Sequence, residues 1–153
     1  MQIKLNDGII LEPIMVTGNK KTVQGALRDT LTFIFPATES MEYLDGLFTE
    51  QNCEKIALVG VSSKMIPVEV EQEDGTFVTE YEERPTDAIY NDYTIRCELK
   101  KEWVQETDGT ANEHPVYEER IFVSMSQRTY TEKQLASVRE SVDLLVLESL
   151  MGV

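Results

Sequence analysis

The chain has 153 residues and a formal net charge of −14, with 41% hydrophobic and 27% charged side chains. That length suits one domain with a core that needs no disulfide or metal staples. No apolar run approaches the ~20 residues of a membrane-spanning helix, and a surface of this sign repels nucleic-acid backbones and anionic lipid.

The charge is uneven, since residues 66 to 120 hold 16 acidic and 5 basic side chains. It reads either as a solvated face that keeps the protein dispersed or as a surface that must not adhere to passing DNA. The opening "MQIKLNDGII" shows no basic stretch followed by an apolar one, so nothing in it reads as a secretory signal. Cys53 and Cys97 lie far apart and outside any CxxC spacing, which predicts reduced thiols in a cytosolic protein.

Asp-Gly pairs punctuate the chain between runs of strand composition. Asp7-Gly8 separates "QIKL" from "IILEPIMV", and Asp74-Gly75 separates "IPVEVEQ" from "TFVTEYE". Both predict hairpins with type I′ turns, because Gly has no Cβ to clash at positive φ and Asp tolerates that region. A third pair, Asp108-Gly109, sits in the looser stretch "ETDGTANEHP", which reads as a long loop.

In "RDTLTFIFP", Leu31, Phe33 and Phe35 alternate with Thr30, Thr32 and Ile34 before Pro36 closes the run. Period-2 alternation of this kind predicts a strand with one face in a core. Thr32 then belongs to the wet face, and truncating it is expected to be nearly silent. The preceding Arg28-Asp29 doublet predicts a polar clasp, with the Arg bonding a loop carbonyl or carboxylate and the Asp capping a turn.

In "SMEYLDGLFTE", Met41, Leu44, Leu47 and Phe48 recur at three- and four-residue steps after a capping Ser40, which predicts a short helix near 40–49. "KIALVGV" is apolar nearly throughout and predicts a central strand or one covered on both faces. Farther along, Tyr93, Ile95, Cys97, Leu99 and Trp103 alternate with Arg96, Glu98, Lys100 and Glu102. A hairpin partner offers Tyr117, Ile121, Val123 and Met125. A C-terminal helix near 131–150 is predicted from a Thr131–Gln134 capping box, Tyr130 and Leu135 at the staple positions, and a stripe of Leu135, Val138, Val142 and Leu145. Its last turns are apolar nearly all round. Either that end is buried in the domain, or Leu144, Leu147, Leu150 and Met151 form an interface with another subunit. The whole reads as one antiparallel, mainly β domain, a barrel or sandwich, with these two helices.

A search for chemistry finds no convergent set. The lone His114 has no second His at zinc spacing. "EQEDGTF" and "ETDGTANE" match calcium loops in composition and not in spacing. No phosphate-cradling or nucleophile-elbow motif occurs. The expectation is a non-enzyme without cofactor or metal.

The order of features carries a resemblance. An opening "IKLNDG" strand leads to "VQGALRDTLTFIF", a short helix with "LDGLFTE", "YTIRCEL", then "YEERIFVSMSQRTYTEKQL" and an apolar helix. In that order the chain resembles small tail-module structural proteins of tailed phages and prophages of Gram-positive bacteria, best over residues 22–48 and 117–147. The resemblance implies a non-catalytic virion protein (a tail, baseplate or connector component) that works by assembling. It further implies homo-oligomers, other phage tail or virion proteins as partners, no direct nucleic-acid or membrane binding, and residence in the host cytoplasm during assembly and then in the virion. Two rival classes stay open. One is a small β-barrel ligand- or glycan-binding module with Tyr81, Tyr90 and Tyr93 at its mouth. The other is an acidic DNA-mimic regulator with carboxylates spaced like phosphates on one face.

Overall fold

The computed structural model describes residues 1–105 and 116–152; the stretch "ETDGTANEHP", with Asp108-Gly109 and His114, lies outside the described residues. The strands are β1 (Ile3–Lys4), β2 (Ile10–Leu11), β3 (Met15–Val23), β4 (Ala26–Pro36), β5 (Lys55–Glu71), β6 (Phe77–Asn91), β7 (Ile95–Gln105) and β8 (Tyr117–Ser126). Helix α1 (Met41–Leu47) follows β4, and α2 (Tyr130–Leu150) follows β8. The strands form two four-stranded antiparallel sheets, ordered β2-β1-β5-β6 and β3-β4-β8-β7. Among the described residues the fold is mainly β and sandwich-like, with no closed barrel.

The core is what the alternation of β4 dictates. Phe33 is 0% and Phe35 1% exposed, and Leu31 joins them against Ile3, Ile56, Val123 and Met125. Helix α1 starts on Ser40, whose hydroxyl accepts the Tyr43 N–H at 3.2 Å, and it buries Leu44 and Leu47. Just beyond it, the Phe48 ring meets Phe33 at 5.2 Å and Phe35 at 5.9 Å between centroids. β5 begins as an inner strand between β1 and β6, and its Ile56, Ala57 and Leu58 are buried.

Several expectations are corrected. Thr32 is not on a wet face. It is buried, and its hydroxyl shares a 2.8 Å hydrogen bond with Ser124, just as Thr30 does with Ser126 at 2.8 Å. β4 and β8 are both inner strands, so flanking strands shield even their outward side chains, and small hydroxyls pair there.

The Asp-Gly turns are not type I′. In both, only the Gly has positive φ (Gly8 at 91°, Gly75 at 82°), and the loop has three residues. The Asp carboxylate instead accepts the N–H two residues on, from Ile9 and from Thr76, each at 3.0 Å. The two-residue turn with both φ positive is Gln24-Gly25, joining β3 to β4.

In β7 a bulge at Cys97 reverses the facing. Ile95 pairs opposite Ser126, whereas Leu99 pairs opposite the buried Val123, so Ile95 and Leu99 lie on opposite faces. The α2 cap also moves. Thr129 is the N-cap and Glu132 closes the box, two residues before the expected Thr131–Gln134 pair.

Candidate interaction surfaces

Among the described residues, two segments leave the sandwich without packing on it. The first is the outer part of the β5–β6 hairpin. After Leu58 the register shifts, with Gly60 at φ 70° and its N–H donating to the Asp87 carboxylate at 3.0 Å. An L side chain is strained at such a φ, so this glycine lets the strand swing away from the sheet. From Ser62 opposite Thr86 to Glu71 opposite Phe77, the hairpin continues as a two-stranded ribbon roughly 30 Å long. Its Met65, Phe77 and Tyr81 are exposed.

The ribbon also carries much of the acidic segment. Glu80 pairs opposite Val68 and Glu82 opposite Ile66, while Glu69 and Glu83, opposite Thr79 and Met65, fall on the other face. The carboxylates are thus divided between two faces and interleaved with apolar side chains. That is not the single phosphate-like face a DNA mimic needs.

The second part is α2. It is tied down only at its start. Arg28, 4% exposed, donates from Nε to the Val23 carbonyl at 2.8 Å and from both terminal nitrogens to Glu132, at 2.5 and 3.2 Å. It also reaches the Gln127 carbonyl at 3.4 Å. Glu132 receives the Thr129 hydroxyl at 2.9 Å and the Thr129 N–H at 3.2 Å. Hydrogen bonds from Arg28 and then Thr129 hold the Glu132 carboxyl down at about 2. The expected Arg28 clasp is therefore present, with helix and loop as its targets. Asp29 contributes through its backbone, its carbonyl accepting the Gln127 N–H at 2.8 Å.

Beyond that clasp, every α2 residue from Gln134 onward is exposed. The four interface candidates stand open, with Leu144 at 58%, Leu147 at 54%, Leu150 at 79% and Met151 at 70%. Among the described residues, none covers the helix end. The stripe of Leu135, Val138, Val142 and Leu145 is equally uncovered.

A cleft of about 360 Å³ opens between the sheets, lined by Val16, Gly18, Leu31, Leu58, Tyr90 and Tyr93 among others. The Tyr90 and Tyr93 rings meet edge to face at 6.0 Å. Tyr81 stays on the ribbon, so the three tyrosines do not form one mouth. Burial pushes the Cys53 thiol up to about 12, with Arg96 opposing and Asp7 adding, so it is protonated and inert at neutral pH. Among the described residues, no three of His, Cys, Asp and Glu come together as metal ligands, and no helix is long and apolar enough to cross a membrane. Set against known protein families, curated proteins and solved structures, the chain matches none.

Proposed function

We propose that this is a non-catalytic assembly protein, a tail, baseplate or connector component of the phage or prophage kind its sequence resembles. One observation carries the reading. A ribbon and a helix both project from the sandwich with their apolar side chains uncovered. A two-stranded ribbon alone in water is marginally stable, and exposed apolar surface of this extent marks docking sites. The sandwich supplies rigid positioning, the ribbon and the Leu144–Met151 end supply contacts, and the acidic charge holds the β bodies off one another and off DNA.

The test is reconstitution with the products of neighbouring genes, followed by light scattering and electron micrographs. Rings, tubes or stable complexes are expected, and replacing residues 62–86 by a short turn should abolish them while the sandwich still folds. A chain that stays apart from every neighbouring product would sink the reading.

The ligand-binding alternative has one observation in its favour, the cleft walled by Tyr90 and Tyr93. Saturation-transfer signals from soluble sugars, abolished by Tyr90→Ala, would support it.

A further inference from the structure

We infer that α2 pairs with α2 of a second copy, antiparallel across a two-fold axis near Glu140, through Leu135, Val138, Val142 and Leu145. This rests on the reading of the chain as an assembly protein and names one of its partners as itself.

The spacing of the four residues identifies the kind of partner. Steps of three, four and three are the a and d positions of two heptads, the seam by which one helix takes knobs from another. Among the described residues there are two helices, and α1 already has its Leu44 and Leu47 buried against the core. Helix α2 is the remaining surface of matching shape, so a second copy brings the matching stripe.

The order of residue types makes the stripe self-complementary. Leu-Val-Val-Leu reads the same from either end at the same spacing. When two such helices run antiparallel about position 140, Leu135 meets the second copy's Leu145 and Val138 meets its Val142. Each a position faces a d position, and the layers match in size. A two-fold contact of this kind closes on itself and leaves no further copy to be recruited.

Charge selects the antiparallel orientation over the parallel one. Residues 130–153 carry 2 basic and 4 acidic side chains, so most of the net −14 sits on the β body. The 21 residues of α2 make a rod about 31 Å long. Antiparallel pairing puts the two acidic bodies at opposite ends of that rod, several Debye lengths of ~8 Å apart, whereas parallel pairing sets them side by side. The mismatch in the antiparallel seam is Arg139, which approaches its own copy near the axis; Asp143 lies one turn on along the same helix to offset it. Leu144, Leu147 and Met151 lie on the side of the helix away from this stripe, so the seam leaves them open for a different neighbour.

The test uses the full chain alone in solution. Light scattering at micromolar concentration should find a dimer, and Val138→Glu with Val142→Glu should weaken it by roughly a hundredfold or more, leaving a monomer with the same sheet signal. Two further variants keep the stripe apolar in case the acidic pair disturbs the helix. A Leu135→Cys chain mixed with a Leu145→Cys chain should cross-link on oxidation, while either alone should not. A monomeric wild type, a dimer untouched by the glutamates, or cross-linking within each cysteine variant alone would overturn the seam. A wild type that is monomeric alone yet forms rings or tubes with neighbouring products would overturn the seam while leaving the assembly reading intact.

Discussion

Phe33 and Thr32 are neighbours on one strand, and both are buried, yet they hold the fold by different means. Phe33 fills space against Phe48 and the facing sheet, so Phe33→Ala leaves a cavity and should cost roughly 3–5 kcal/mol in denaturant unfolding. Thr32→Ala removes one hydroxyl from a pair and should cost about 1 kcal/mol. A Thr32→Ala loss as large as that of Phe33→Ala would mean the hydroxyl pairs carry more of the sheet than packing does.

At the clasp, the sign of the pH effect follows from Glu132, whose pKa is lowered from 4.5 to about 2. A carboxyl depressed on folding contributes stability that is fully present above its unfolded value and lost as pH falls through its folded one. Wild type and Glu132→Gln should therefore differ most in melting temperature at neutral pH and converge between about 4.5 and 2. A constant difference across that window would separate the carboxylate's charge from the clasp.

Among elements, the ribbon and α2 behave differently from the strands beneath them. Hydrogen exchange on the isolated chain should find residues 62–86 far less protected than the same two strands between 55 and 58 and between 88 and 91, because only the latter are sandwiched. Equal protection would mean the ribbon is covered even without partners.

What the sequence made legible divides along the same line. The alternation in β4, the stripe of α1 and the alternation in β8 were readable because each is a local pattern with one dominant period. Several features were hidden. The burial of Thr30 and Thr32 depends on which strands flank them. The bulge at Cys97 resets parity without any marker residue. The Gln24-Gly25 turn lacks the Asn or Asp that usually announces one. The exposed helix end was legible as an apolar excess, but only the structure decides that its own domain does not cover it. The extra length of the ribbon was invisible, since a paired strand reads the same whether or not a second sheet lies behind it.

For the whole molecule, the apolar end of α2 is the place where stability and assembly separate. Leu147→Glu with Met151→Glu touches nothing in the sandwich, so thermal melting of the sheets should change little while complexes with neighbouring products weaken. Unfolding on this change, measured by circular dichroism, would show the segment to be core in solution.

The register of β4 on β8 has a further consequence, for the order in which the chain can fold. The hairpins β3–β4, β5–β6 and β7–β8 each close within a short span of sequence, but Phe33 waits for Val123 and Thr30 for Ser126. Closing that long interval is the entropically slow step, so the topology favours late consolidation over early collapse. During synthesis the edge of β4 that pairs with β8 stays open until β8 has left the ribosome. Most of what emerges in between is the acidic segment, whose mutual repulsion between nascent chains keeps that waiting edge from finding a wrong partner.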